Sequence, residues 1–342
     1  MIYTIHEIKK LWEKIPLDED INLYIHSPFC QCKCKYCLYS GKECNSQIEK
    51  NYFIQELKSS IFHFRDILKN RYVNTLYFGG GTPNIFSIEE IENITKTIYD
   101  ICTPNKKIIE LNPAYLTEEY LKKICELKYT LITFGIQTFD KSTLRYHNRP
   151  YVKKDTIKRY IDICKEYNVK TSIDLMCFLK SYTINDIQYL ENDINTTKSL
   201  DVDFITIYPE QNLIKKDGKI AQQFSQYIES KINQKEHIDN YYIDISQYGK
   251  DNHKIENNPS LVYRYINNKY TYDFFRKNIL SYYENDFPAA IHNIIAFGDK
   301  NCEQKIVSYS PKRFFYTEQF SYPESVYDIK YIRDDFKDAK KE

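Results

Sequence analysis

The chain has 342 residues, a formal net charge of +1, and 28% charged residues. That is enough for one large α/β barrel with an accessory region, or for two domains, and it excludes a polybasic field drawing the whole molecule to nucleic acid. No apolar run reaches the roughly 18 residues of a membrane span, and ten cysteines without a signal peptide predict a reducing, cytoplasmic setting rather than a disulfide framework.

Residues 1–20 are charged throughout, with Ile2, Ile5, Ile8, Leu11 or Trp12, and Ile15 at helical spacing. That predicts an amphipathic N-terminal helix packed on the body. Six strand-then-helix units follow. Strands are predicted at Ile21–His26, Val73–Phe78, Lys107–Leu111, Leu131–Gln137, Lys170–Phe178 and Phe204–Tyr208. Helices are predicted at about 46–68, 87–101, 117–127, up to 167, 183–199 and 219–232, with Ser87 and Thr117 as N-caps and Glu90 completing a capping box. Successive βα units imply a parallel sheet with right-handed crossovers. Six units fall short of a closed eightfold barrel, so the expected fold is α/β, a partial (β/α)6 TIM-like barrel over residues 21–232. Beyond 233 the pattern turns to strands separated by loops, a C-terminal β-rich accessory segment over 233–342 that could extend the sheet or cover the gap.

The chemistry centres on the loop after the first strand. Cys30, Cys34 and Cys37 have the spacing C-x3-C-x2-C. Such a loop can wrap three thiolates around one corner of a [4Fe–4S] cubane. No fourth cysteine stands at ferredoxin spacing, so one iron is left open, as a catalytic metal requires. The competing reading is a zinc knuckle, although no second C-x2-C pair is present. Cys32 lies between the ligands. Cys102, Cys125 and Cys164 fall at apolar helix positions and read as core; Cys44, Cys177 and Cys302 are isolated.

Gly79, Gly80 and Gly81 end the second strand in a chain with only eight glycines. Glycine admits close approach of backbone to a ligand and a positive φ; the alternative is an ordinary tight βα turn. Glu110 ends the third strand, where a carboxylate needs a cation or hydroxyls unless it is a surface glutamate. Gln137, Arg149 and Asp174 make a second polar set, either a small-ligand site or a structural Arg149–Asp174 ion pair. Tyr24 and Tyr36 flank the cysteine loop and either stack on a ligand or shield the metal. Tyr208 ends the sixth strand and points at the mouth or the core. His26 reads equally as a core histidine, and His147 as a loop residue.

The motifs Leu23–Cys37, Tyr77–Pro83, Glu110-Leu111-Asn112-Pro113, Phe134–Phe139, Leu144–Arg149 and Ile173–Leu175 resemble the radical S-adenosylmethionine (SAM) enzymes. They are most similar to the oxygen-independent coproporphyrinogen III oxidase-like family, with its haem chaperones and class C radical SAM methyltransferases. The likeness covers roughly residues 21–210. It implies a [4Fe–4S] cluster on Cys30, Cys34 and Cys37, a cluster-bound SAM, and a second SAM. By that resemblance Tyr24, Gly80 and Glu110 hold the first SAM; Gly81, Thr82, Gln137, Arg149 and Asp174 hold the second. It also implies a reducing partner such as flavodoxin or ferredoxin.

Departures from the family steer the expected function. Tyr39 stands where porphyrinogen-decarboxylating members carry another cysteine. The arginine before the Gly-x-Gln strand is replaced within Thr130-Leu131-Ile132-Thr133, and a Gly-Leu-Pro by Cys177-Phe178-Leu179-Lys180. The expectation is a class C-like methyltransferase or C–C bond former acting on a small molecule or peptide, with Tyr39 and Tyr208 as candidate catalytic side chains. The alternative is a porphyrinogen- or haem-directed enzyme, or a haem chaperone.

Overall fold

The computed structural model describes residues 21–37 and 41–210 without a break, and outside them residues 2–3, 9–10, 13, 17, 220, 223–224, 227, 241–247, 259–266, 292–298, 305–309, 315–321 and 326–332. Tyr39 and Cys302 lie outside the described residues.

Strand β1 (Ile2–Tyr3) stands where the sequence predicts the start of a helix. Its two residues pair antiparallel with β15 (Val326–Ile332), and a ladder partner satisfies their backbone in place of helical bonds. Helical backbone is described at residues 9, 10 and 13.

The centre of the molecule is a parallel sheet of six strands: β2 (Ile21–Ser27), β5 (Val73–Gly80), β6 (Lys106–Leu111), β7 (Leu131–Gln137), β8 (Lys170–Cys177) and β9 (Phe204–Pro209). Each pairs with the next in that order. Two short strands, β3 (Phe29–Cys30) and β4 (Lys42–Glu43), pair beside the end of β2. The crossovers are α1 (Gln47–His63) with α2 (Arg65–Lys69), α3 (Ile88–Tyr99), α4 (Glu118–Glu126), α5 (Lys141–Tyr146) with α6 (Lys154–Glu166), and α7 (Asp186–Lys198). This is the core of a partial TIM-like barrel.

Local chemistry explains the helices. Ser87 and Glu90 make the reciprocal capping box of α3, and Thr117 caps α4 through Tyr120 N. Helix α3 buries Ile91, Ile94, Thr95 and Ile98, one stripe at helical spacing; α6 does the same with Ile157, Tyr160, Ile161 and Cys164. The strands are buried on both faces, as parallel sheets require: Ile21, Leu23, Ile25, Leu76, Phe78, Ile109, Ile132, Ile173, Leu175, Ile205 and Ile207 join one core, and Tyr77, Ile108 and Leu131 cluster on the other face.

The accessory strands extend the sheet at both edges. β12 (His292–Phe297) adds parallel to β2, with Tyr24 opposite Ala296. β11 (Pro259–Ile266) adds antiparallel to β9 and carries β10 (Tyr241–Gln247) outside it. β13 (Lys305–Tyr309), β14 (Phe315–Ser321) and β15 continue antiparallel from β12 to β1. Ile295 and Phe297 are buried, and Phe297 meets Phe64 edge-on at 5.9 Å.

Candidate active site

The site lies at the C-terminal ends of the parallel strands, where helices do not cover the sheet and loops are free to carry chemistry. The cysteine loop is tied down by backbone bonds. Lys42 N donates to Pro28 O at 2.9 Å, Cys44 N to Cys30 O at 3.2 Å, and Cys37 N to Cys34 O at 3.2 Å. Its far side is fastened to the end of α5: Lys35 N donates to His147 O and Asn148 Nδ2 to Lys33 O, both at 3.0 Å. Cys30 and Cys34 are buried and Cys37 is half-buried. Burial pushes the Cys30 thiol up to about 11, with Thr82 hydrogen-bonded to it and the Cys37 and Cys34 thiols close enough to add repulsion. Iron coordination would remove that proton outright.

Among the described residues no three His, Cys, Asp or Glu side chains stand close enough to share one ion. A cubane spreads its ligands over several iron corners, so its thiolates stand further apart than ligands of a single metal. Burial raises the Cys32 thiol, which is hydrogen-bonded to both Tyr115 and Cys34.

The glycines are where backbone meets the loop. A Cβ on Gly81 would lie 2.5 Å from Phe29 O and 3.0 Å from Cys30 Sγ. Gly81 N donates to Ser27 O, and Thr82 N to Phe29 O, both at 2.7 Å. Gly80 has φ +97°, and a Cβ there would strike the His26 ring at 2.8 Å. Two asparagines lock this turn to the next. Asn84 Nδ2 donates to Asn112 O at 3.0 Å, and Asn112 N to Asn84 Oδ1 at 2.8 Å. Sequence reasoning passed over this pair, although each asparagine adjoins a Pro-marked turn.

Glu110 sits directly over Gly79, whose Cβ would meet Glu110 Oε2 at 2.8 Å. The Gly80 N–H and the Tyr77 hydroxyl both donate to its carboxylate. Glu110 keeps some accessible surface in the mouth but lies deep. Burial, and next the negative charge of Asp174, push it up to about 8. A carboxyl so raised recovers its charge when a cation sits beside it. The ammonium of a bound SAM, which the resemblance expects here, is a cation of that kind. Tyr24 donates to or accepts from His26 Nδ1 at 2.9 Å, and its ring packs 5.7 Å from Tyr77. Burial lowers His26 to about 4, so it is neutral.

The opposite side is built by side chains. The β7–β8 register slips between Gly135 and Gln137, a bulge that re-aims the strand end. Gln137 there takes φ 72°, uncommon for a residue with a side chain. Arg149 Nη1 reaches Cys34 Sγ at 3.6 Å, and Nη2 donates to Gly135 O. Burial opposes the guanidinium charge, yet neighbouring Tyr36 and Cys34 raise its pKa overall. Asp174 is buried opposite Gly135 in register. Arg149 thus bridges the cysteine loop and β7. Phe178, in the stretch that departs from the family, takes φ 69° with its ring buried against Phe224 at 5.2 Å. The backbone of Tyr208 is the penultimate position of β9.

His147 lies in the turn after α5, the loop position expected, but it is not a bystander there. It caps α5, is 1% exposed, and stacks edge-on to Tyr36 at 5.3 Å; its Nε2 lies 2.7 Å from Leu179 O. Tyr36 is half-buried beside Cys34 and Arg149; burial raises its phenol against the opposing charge of Arg149. Only the fold could reveal this: His147 lies far from the loop in sequence.

Comparison with known proteins agrees with this geometry. The Radical SAM superfamily model matches residues 24–194. The chain is 30% identical over 190 residues to the heme chaperone HemW of Bacillus subtilis, covering 54% of this chain and 49% of that one. It is 26% identical over 171 residues to the oxygen-independent coproporphyrinogen III oxidase of Helicobacter pylori, covering 48% and 37%. The chain thus spans about half or less of the length of these curated relatives. Among solved structures, the coproporphyrinogen III oxidase of Escherichia coli superposes with a TM-score of 0.66 at 16% identity, over 91% of this chain and 69% of that one, a likeness of fold. These relatives weigh toward the tetrapyrrole-directed alternative and away from the methyltransferase expectation. Among the described residues no helix is long and apolar enough to cross a membrane. With the thiol loop, glycine turn and buried glutamate on matched strand ends, the chain belongs to the radical SAM superfamily, a membership that implies a [4Fe–4S] cluster and SAM.

Proposed function

We propose that this protein cleaves SAM reductively and directs the resulting chemistry at a tetrapyrrole, as an oxidase-like enzyme or a haem-handling relative. When bound, the cluster and SAM supply a 5′-deoxyadenosyl radical. The chain's own residues hold and orient: Cys30, Cys34 and Cys37 grip the metal, Gly79–Gly81 let backbone approach the ligand, and Glu110 takes its cationic group. The observation that carries this reading is the junction of Gly81 with Cys30 beside the raised Glu110. No other described place brings a thiol, a Cβ-free wall and a carboxyl in need of a cation together. The tetrapyrrole rests on similarity to HemW and to the coproporphyrinogen III oxidases.

The test is anaerobic reconstitution followed by SAM turnover with dithionite, read by mass spectrometry, with coproporphyrinogen III and haem each supplied. Formation of 5′-deoxyadenosine that responds to one of them supports the proposal. Protein that takes up zinc in place of iron and sulfide, and leaves SAM intact, overturns it.

One observation favours a second SAM as a finer reading. Asp174 is buried close enough to raise Glu110, so two carboxyl groups share the mouth and each would gain from a neighbouring cation. Gln137, Arg149 and Thr82 would complete that second position. Joint release of 5′-deoxyadenosine and S-adenosylhomocysteine would restore the methyltransferase reading; 5′-deoxyadenosine alone would end it.

A further inference from the structure

Three donors converge on one sulfur of the cysteine loop. Arg149 Nη1 reaches Cys34 Sγ at 3.6 Å from 115 positions along the chain. Its other terminal nitrogen, Nη2, donates to Gly135 O, so the guanidinium is fixed at both ends. The Cys32 thiol is hydrogen-bonded to Cys34 and is itself held by the Tyr115 hydroxyl. The Tyr36 hydroxyl stands buried beside the same sulfur, with no other partner among the described residues. Cys30, by contrast, has the single hydroxyl of Thr82 hydrogen-bonded to its thiol. Cys32 is also the one cysteine of the loop that the C-x3-C-x2-C spacing does not use.

The consequence depends on what the sulfur holds. A thiolate on iron carries part of the negative charge of the metal centre, and that charge grows when the centre takes up an electron. A donor aimed at the sulfur therefore stabilises the reduced form more than the oxidised one. Hydrogen bonds to the sulfurs, net charge and solvent exposure are the levers by which a protein sets the potential of an iron–sulfur centre. A guanidinium adds a full charge to its hydrogen bond, and the half-burial of Arg149 leaves less water to screen it. A bridge that only tied the loop to β7 would need Arg149 alone. It would not need a second thiol, positioned by Tyr115, on the same sulfur.

We propose that Cys32 and Arg149, with Tyr36 as a weaker third donor, raise the reduction potential of the centre held on Cys30, Cys34 and Cys37 by donating hydrogen bonds to the Cys34 sulfur. They are positioning residues that act through Cys34. In the step they favour, a one-electron reductant, dithionite in the test below, gives up one electron and the centre gains it; no covalent bond forms or breaks. The inference rests on Cys34 being a ligand of the cluster, and it is independent of whether the substrate is a tetrapyrrole.

The experiment uses the full-length chain, reconstituted anaerobically without SAM and poised with dithionite and redox mediators, the reduced cluster being followed by electron paramagnetic resonance. Cys32→Ala and Arg149→Gln should each keep the iron content of the unaltered protein and lower the equilibrium constant for electron uptake about tenfold, ~59 mV for one electron. Tyr36→Phe should shift the potential the same way by less. Cys44→Ala removes a thiol turned to Ser46 O and Glu49, and should leave the potential where it is. An unchanged potential in Cys32→Ala or in Arg149→Gln, at full iron content, overturns the proposal. Should either variant fail to hold the cluster, the unaltered protein decides. Electron–nuclear double resonance of its reduced cluster should show strongly coupled protons that vanish in D2O, and their absence overturns the proposal too. Unaltered protein that assembles no iron–sulfur centre sinks the ligand reading and this inference with it. A cluster that forms but leaves SAM intact would instead sink the function reading, while the potentials would still judge the donors.

Discussion

The two sides of the mouth are built by different means. On the β2–β5–β6 side the walls are backbone and thiols: a Cβ is excluded at Gly79, Gly80 and Gly81, and the one carboxylate, Glu110, is held by a Gly80 N–H and the Tyr77 hydroxyl. On the β7–β8 side the walls are long polar side chains aimed by a bulge, with Arg149 anchored on Gly135 O and Cys34 and Gln137 held at φ 72°. A wall of glycine and backbone cannot repack, so it suits a ligand that never changes. A wall of side chains on a strained strand end can be re-aimed, so it can adjust to what binds against it.

That contrast can be broken by substitution, beginning with the thiols. Cys30→Ala, Cys34→Ala or Cys37→Ala should abolish iron binding, the brown colour of the cluster and SAM cleavage altogether. Retention of all three properties in Cys34→Ala would refute the ligand assignment. Gly81→Ala should come next, because its Cβ meets backbone at Phe29 O, which cannot swing away. We expect a loss of about 1–3 kcal/mol in stability and substoichiometric iron, read by thermal melting and metal analysis. By contrast, a substitution of equal size at Gln137 should leave iron content intact.

Glu110→Gln should weaken SAM binding about tenfold, or ~1.4 kcal/mol, in equilibrium titration. It also carries a pH signature. The folded carboxyl is raised from 4.5 to about 8, so folding favours its acid form. That stabilisation is fully present below 4.5 and is lost as pH rises through about 8. Denaturant titrations of the ligand-free protein should therefore lose stability across that window, and Glu110→Gln should flatten the slope. A parallel slope in both proteins would mean that Glu110 does not titrate there. The smallest effect is expected at Gln137. Glycine tolerates φ 72°, so Gln137→Gly should raise stability by about 1 kcal/mol in thermal melts while weakening ligand binding on the β7–β8 side.

The strength of local pattern decides how much of this was legible beforehand. All six core strands fall within a few residues of their predicted bounds, because alternating or continuous apolar runs bounded by turns are read from neighbours alone. Ser87, Glu90 and Thr117 cap the helices they were expected to cap. The N-terminal segment failed at its start: Ile2 has helical spacing with later residues, but β15 gives Ile2 and Tyr3 a ladder. His147 falls in a turn, as expected, but its burial was not foreseen because nothing near it in sequence marks it. Arg149 found Cys34 and Gly135 O as partners, which neither a ligand site nor an ion pair with Asp174 describes in full.

The amino-acid sequence by itself determined the cysteine spacing, the glycine turn, the strand ends that carry Glu110 and Gln137, and the order of βα units. Each depends on residues within a few positions of one another, whose sterics and periodicity act before the chain closes on itself. Only the tertiary structure decided that Arg149 meets Cys34, that His147 backs Tyr36, that Asp174 raises Glu110, and that β12 and β11 extend the sheet at opposite edges. Those contacts join residues from dozens to hundreds of positions apart, and they follow from which strands become neighbours, an arrangement no short stretch of sequence contains.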